Sequence, residues 1–158
     1  MKINSKTLIK EVTKVSKACG RSQVIPILEN ILFEVKDNVL TLTATDLQQV
    51  IHTTIPVVSD DVQTTIPAKV FIDVLKTLED VELKFNKNQL IIKSDSGTYK
   101  IPTDSADDFP KTPEVTGTTV ELEIEELEFL IGRTQKFMSR DELRPAMCGV
   151  LFDFKADG

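Results

Sequence analysis

The sequence predicts an α+β protein in which one unit, a helix followed by an antiparallel sheet, is used more than once. Two internal repeats and the spacing of the apolar residues carry that prediction. At an offset of 50, Phe33, Val35, Leu40 and Leu42 superpose on Leu83, Phe85, Leu90 and Ile92, and Asn38 falls on Asn88. At an offset of 119, Leu8, Val12, Lys14, Lys17, Arg21 and Pro26 fall on Leu127, Ile131, Arg133, Lys136, Arg140 and Pro145. The run Ile31-Leu32-Phe33-Glu34-Val35-Lys36 then falls on Val150-Leu151-Phe152-Asp153-Phe154-Lys155 without a gap. Amphipathic helices resemble one another by chance. A matched proline and an ungapped Leu-Phe-acid-apolar-Lys run favour duplication.

The elements follow from local pattern. Ser5 to Lys17 reads as an amphipathic helix, because at about 100° per residue Leu8, Ile9, Val12 and Val15 fall on one side. Asn4 or Ser5 caps its start and Gly20 ends it. Residues 30–35 and 39–45 alternate as strands around a Lys36-Asp37-Asn38 turn. A strand runs near Val50–Pro56. Pro67 suits a helix start, where its missing N–H costs nothing, and Ala68–Leu78 is the second amphipathic helix. Strands are expected at Val81–Phe85, Gln89–Lys93 and Thr98–Ile101. Residues 103–117, with Pro110, Pro113 and Gly117 among many acids, read as a linker. A strand at Thr119–Ile124, a helix at Glu125–Met138 and a strand at Gly149–Phe154 complete the pattern. The expected domains are 1–116 and 117–158. The counterpart of Leu40–Asp46 in the second would fall at 159–165, so that domain is expected to be truncated and the chain to be an N-terminal fragment.

Composition narrows the function classes. The chain has 158 residues, a formal net charge of −6, 41% hydrophobic and 28% charged residues. That is an ordinary globular composition and excludes a disordered chain. No apolar run approaches the roughly 18–20 residues of a membrane span. The start, Met1-Lys2-Ile3-Asn4-Ser5, shows no secretory signal. Two cysteines, Cys19 and Cys148, make neither a disulfide framework nor a zinc pattern, so a reducing cytoplasm is expected. The charge is uneven. Residues 1–24 hold six basic residues against Glu11, and residues 103–128 hold nine acids against Lys111. Such a protein can present one positive surface to a polyanion and repel it elsewhere.

No phosphate-binding glycine loop, dinucleotide fingerprint, zinc-protease motif or clustered metal ligands occur, so no cofactor, no metal and no enzyme are expected. His52 lacks an oriented partner and reads as a strand residue. Cys19 continues the apolar face of the first helix and reads as a buried thiol. Asp104, Asp107 and Asp108 do not have the spacing of a calcium loop and read as a solvated loop.

The lysines carry more weight. Lys6, Lys10, Lys14 and Lys17 lie within about 80° of each other, opposite the apolar face. Alone this would be a solvated helix face. The stripe, however, lacks the acidic i,i+4 partners that lace an exposed helix. Lys69 and Lys76 lie on one side of the second helix, diluted by Asp73, and the repeat returns Lys14, Lys17 and Arg21 as Arg133, Lys136 and Arg140. Recurring cations at equivalent places suggest equivalent helices facing one polyanion, binding phosphates without reading bases.

Several stretches then resemble the bacterial DNA polymerase III beta subunit family, the replication sliding clamps. They are Gly20-Arg21-Ser22-Gln23-Val24-Ile25-Pro26-Ile27-Leu28-Glu29-Asn30-Ile31-Leu32-Phe33, Leu40-Thr41-Leu42-Thr43-Ala44-Thr45-Asp46-Leu47, Ile66-Pro67-Ala68-Lys69, Asp107-Asp108-Phe109-Pro110, and Arg144-Pro145-Ala146-Met147-Cys148-Gly149-Val150-Leu151-Phe152. They run in family order along the whole chain and correspond to the first domain and the beginning of the second of three.

The resemblance implies a DNA-clamp fold, a head-to-tail homodimer ring with helices on the DNA side and strands outside. Such a ring encircles duplex DNA without sequence specificity and tethers the replicative polymerase as a processivity factor. It implies that Arg21 and the helix lysines face the hole. It implies that Val74, Leu78, Tyr99 and Ile101 meet the third domain of the other subunit. Arg144 and Met147 match the edge of a pocket that takes short peptide motifs from polymerases and the clamp loader. The alternative from another class is a protein-interaction module whose lysine face is merely solvated.

Overall fold

The computed structural model describes residues 1–20, 24–112, 116–117, 119–141 and 143–154. The chain divides into two compact units, Met1–Pro113 and Glu114–Gly158. The fold is α+β, as the sequence predicts.

The first unit is a pair of halves in the same order. The first half runs β1 (Lys2–Asn4), α1 (Ser5–Val15), β2 (Asn30–Lys36), β3 (Val39–Thr45) and β4 (Val50–Pro56). The second runs β5 (Val62–Pro67), α2 (Ala68–Leu75), β6 (Asp80–Asn86), β7 (Gln89–Ser94) and β8 (Gly97–Pro102). The start and end of β2, displaced by 50, are those of β6. All pairings are antiparallel, and each half contributes a three-strand meander. The first strand of each half, however, is given to the other half. The sheets are ordered β4-β3-β2-β5 and β1-β6-β7-β8. Asn30 stands opposite Pro67 in one sheet, and Lys2 opposite Glu82 in the other.

β1 is only three residues long and β5 centres on Gln63-Thr64-Thr65, so neither stands out by alternation and neither is among the strands expected from the sequence. Their pairing is what places them. The Met1 ammonium even extends the ladder, donating to the Leu83 carbonyl at 3.0 Å while the Leu83 amide donates to the Met1 carbonyl at 2.8 Å.

The apolar faces of both helices and both sheets meet in one core. Leu8, Val12 and Val15 of α1, Phe71 and Leu75 of α2, and Ile31, Phe33, Leu40, Leu42, Leu83, Leu90 and Ile92 of the strands are all buried within it. Phe33 on β2 meets Phe85 on β6 with ring centroids 5.0 Å apart, joining the two sheets. Full burial of such side chains contributes roughly 1.5–3 kcal/mol each.

Asn4 is the cap of α1: its Oδ1 accepts from the amides of Lys6 and Thr7. At the other end the expectation fails. α1 relaxes into a 3-10 turn, Ser16–Ala18, and Cys19 is already extended. Gly20 does not stop the helix. Its amide donates to the Leu28 carbonyl at 2.9 Å, and a Cβ there would lie 3.1 Å from Leu28 Cβ, a close approach that favours glycine. In the β2–β3 turn Asp37 (φ 51°) and Asn38 (φ 62°) both take the left-handed conformation that a tight two-residue hairpin demands.

The acidic stretch is not wholly a linker. Asp104 forms a bridge with Thr65, exchanging two backbone hydrogen bonds of 3.0 and 3.2 Å. The buried Asn30 amide donates to Asp104 Oδ2 at 3.0 Å and to Thr65 Oγ1 at 3.2 Å. Phe109 then buries its ring to 6% exposure. Residues 103–109 therefore belong to the first unit. The second helix also stops early, at Leu75 rather than Leu78.

The second unit keeps the helices of the repeat but not its strands. α3 (Ile124–Thr134) and the 3-10 turns Gln135–Phe137 and Pro145–Cys148 are α1, Ser16–Ala18 and Pro26–Glu29 displaced by 119. Residues 119–123 and 149–154 form no strand, contrary to expectation. Helix hydrogen bonds are local, whereas a strand needs a ladder partner. In the first unit β2 is paired on both sides, by β3 and β5; among the described residues the second unit offers nothing equivalent. Lys155, the last residue of the repeat, lies outside the described residues.

Two measurements check this packing. Asn30→Leu removes the hydrogen bond that ties the Asp104 carboxylate to β2 and the one that ties β2 to the buried Thr65 hydroxyl. We expect it to lower unfolding free energy by about 1–3 kcal/mol in denaturant titration and to open residues 103–109 to protease. Unchanged stability would show that the bridge and the Thr64 and Thr65 hydroxyls, which donate to the Asp104 carbonyl, anchor the segment without Asn30. Cys19 is half-buried rather than fully buried as the sequence suggests; its partial burial and, secondarily, the charge of Glu29 push the thiol pKa up to about 11, against an ordinary 9.0. Its stabilising effect is present below pH 9 and lost as pH rises through about 11. Alkylation of Cys19 near pH 8 should be about 100-fold slower than that of a free thiol; equal rates would contradict its burial.

Candidate nucleic-acid interface

The proposed interface begins with which side of α1 is covered. Leu8, Val12 and Val15 lie against the sheets and α2, and Ser5 at the helix start is buried with its Oγ donating to the Leu75 carbonyl at 2.9 Å. This fixes the rotation of the helix. Lys6, Lys10, Lys14 and Lys17 are all exposed. Among the described residues, Lys6, Lys10 and Lys17 enter no ion pair.

Lys14 does, and this corrects the reading of an unlaced stripe. Its Nζ lies 2.8 Å and 3.1 Å from the two oxygens of Glu11, one turn earlier. Glu11 Oε2 also accepts from Thr53 Oγ1 on β4 at 2.8 Å. The Lys14 and Thr53 hydrogen bonds hold this carboxyl below its ordinary range, and the charges of Lys14 and Lys10 add to the effect. The i,i+3 spacing was visible in the sequence. The Thr53 contact, made across 42 residues, was not.

On α2, Lys69 is exposed and Lys76 sits at the C-terminal cap, 3.4 Å from Asp73 in a pair whose members are both more than half exposed. A cleft of about 580 Å³ between the end of α1 and α2 is lined by Ser16, Cys19, Lys69, Ile72, Asp73 and Lys76 among others. The cations of α1 and α2 thus belong to two helices packed on one another. Arg21 lies outside the described residues.

In the second unit Arg133 stacks over the Phe129 ring at 4.5 Å, a cation–π contact, and Lys136 and Arg140 are exposed. Arg144 precedes the Pro145–Cys148 turn and lies 3.8 Å from Asp141. Met147 is 56% exposed, and its carbonyl accepts from the Ser139 amide at 2.8 Å. These residues form a separate set from those of α1 and α2.

The side chains expected to meet a second subunit need correction. β8 is an edge, bonded only to β7. Tyr99 stands opposite Ile92 and Ile101 opposite Leu90, both partners buried, so β8 turns both residues inward. Ile101 is 1% exposed; Tyr99 is half-buried. Leu78 lies past the end of α2 and is 6% exposed, while Val74 stays half-buried. Ile101 and Leu78 therefore serve their own core and offer no apolar surface to a partner. What β8 leaves free is its backbone edge and the exposed Lys100. Elsewhere, His52 is exposed on β4 opposite Thr43.

A charge at Ile101 would enter the core without a partner, so Ile101→Asp should unfold the first unit in the isolated chain, at concentrations too low for association. Circular dichroism melting is the check. An unchanged melt would move Ile101 out of the core and restore it as a contact residue.

Comparison with known proteins gives these features a family. Residues 1–113 match the family model for the DNA polymerase III beta subunit, N-terminal domain. The beta sliding clamp of Pseudomonas putida is 29% identical over 157 residues, which cover 96% of this chain and 43% of that protein. That of Vibrio cholerae is 30% identical over 152 residues, covering 92% of this chain and 42% of its own. A crystal structure of the DNA polymerase III subunit beta from Pseudomonas aeruginosa superposes with a TM-score of 0.87 at 25% identity, over 93% of this chain and 42% of that one. The chain thus spans less than half the length of the relatives it matches. Within that span, the paired sheets, the two core helices and the sequence agree, and the chain belongs to the DNA polymerase III beta subunit family.

Proposed function

We propose that this chain is the N-terminal part of a processivity clamp: clamp domain 1, over residues 1–116, and the beginning of clamp domain 2. The whole protein would encircle duplex DNA, tether the replicative polymerase in the cytoplasm, and carry out no chemistry of its own. One observation supports the reading above others. A chain of net charge −6 turns a one-sided row of exposed lysines to solvent from a helix whose opposite side is locked in the core. Such a row can neutralise phosphates one turn apart without reading base edges. Weak, collective contact is what a sliding protein needs.

In this reading the DNA side carries Lys6, Lys10, Lys14, Lys17, Arg21, Lys69 and Lys76, with Arg133, Lys136 and Arg140 contributed by the second unit. The ring closes head to tail, with the open edge of β8 extended by a strand of the other subunit. Val74 and Tyr99, both half-buried, are the members of the expected contact set that keep accessible surface. Arg144 and Met147 form the near side of a pocket for short peptide motifs of the polymerase and the clamp loader. Partners named for the whole protein are therefore double-stranded DNA, those peptides and a second subunit.

The test is topological. A subunit of the relatives' full length that carries this sequence, once loaded, should remain on circular duplex DNA and be lost from linear DNA through its ends, whatever the DNA sequence. Equal loss from both forms would replace encirclement with ordinary binding. No DNA dependence at all would favour the alternative, an interaction module with a solvated lysine face.

A further inference from the structure

We propose that Glu11 is a positioning residue that holds Lys14 away from the polyanion, so that α1 and the 3-10 turn after it present three lysines without an ion pair among the described residues, Lys6, Lys10 and Lys17, rather than four. The inference rests on the DNA-facing reading of α1 given above.

The geometry separates this pair from ordinary surface pairs. Lys76 and Asp73 are 3.4 Å apart with side chains 61% and 59% exposed, an arrangement that salt and rotamer entropy dissolve readily. Glu11 is different. Its side chain is only 15% exposed although it stands at the margin of a cationic stripe. Lys14 reaches both of its oxygens, and Thr53 Oγ1 fixes one of them from β4, an edge strand of the sheet. The carboxylate is thus held from a second element as well as from its own helix. Lys14, 54% exposed, is drawn back along the helix toward it.

The consequence is electrostatic. A lysine bonded through two contacts to an ordered carboxylate adds little net charge to the surface. Release of its counterion by a phosphate would first require breaking those contacts. Lys6, Lys10 and Lys17 face no such cost. Glu11 therefore lowers the number of phosphates α1 can neutralise by one. It does so at the helix margin, where Thr53 can hold it, leaving the centre of the stripe cationic.

Glu11→Gln tests this in a subunit of the relatives' full length that carries this sequence. The amide oxygen can still accept from Thr53, so a strut between α1 and β4 survives while the charge is removed. Binding to a 20-bp duplex of arbitrary sequence is measured by fluorescence anisotropy over a range of salt. The log–log salt slope of Glu11→Gln should be steeper than wild type by about 0.9, with affinity near 50 mM salt raised about tenfold. Adding Lys14→Ala to Glu11→Gln should remove the increment. A purely structural Glu11 would move the melting temperature and leave the slope alone. Equal slopes with an intact fold would overturn the inference. If Glu11→Gln fails to fold, Lys14→Ala is compared with Lys10→Ala. The Lys10 variant should flatten the slope by about 0.9 and the Lys14 variant by less than half of that. Equal losses would overturn the inference. If wild type shows no salt-dependent association at all, the DNA-facing reading fails and the inference fails with it.

Discussion

The rest of the first unit depends on the burial of one side of α1. Leu8, Val12 and Val15 have no exposed surface, and Ser5 is pinned to the end of α2. A helix held by three such positions cannot rotate, because a turn of even one residue, about 100°, would carry an apolar side chain into water and a lysine into the core. Everything outward follows from that constraint. The lysines are exposed because the leucine and valines are not, and Glu11 lies close to β4 because its position on the wheel adjoins the buried side.

The two halves hold each other through the strands they exchange. β1 is the first element of one half and the edge of the other half's sheet; β5 is the reverse. Each hairpin meander therefore lacks its full sheet until the other half is present. This favours a single cooperative core, and the half-buried Phe85 packs on the buried Phe33 across the two sheets. The same logic explains the second unit. Its helix and 3-10 turns follow the first unit at an offset of 119, since their hydrogen bonds are made within a few residues. Its strand sequences remain irregular where no ladder partner is present among the described residues.

Charge on this chain is a matter of placement rather than total. The acids between residues 103 and 128 outweigh the basic first helix, so the chain as a whole is acidic. Part of that acidity is structural. Asp104 is tied to Asn30 and Thr65, and Glu11 to Thr53 and Lys14. These carboxylates organise backbone and cations as well as repelling anions. Overall composition is silent on that distinction, because it depends on which residues face one another.

What the sequence by itself determined was everything set by local periodicity. The amphipathic helices, the two hairpins of the offset of 50, the lysine stripe and the duplicated helix of the second unit were legible because each repeats at 3.6 or 2 residues. The tertiary structure alone decided what distant residues do to one another. β1 and β5 exist because strands far along the chain pair with them. Residues 103–109 are anchored because a buried asparagine 74 positions earlier donates to Asp104. Ile101 and Tyr99 turn inward because β7 faces them with buried Leu90 and Ile92. Glu11, already one turn from Lys14 in the sequence, is also bonded from β4 by Thr53, a contact that no local pattern contains. A pattern of apolar and charged residues says which face of an element is buried. Only the packed fold says what that face is buried against.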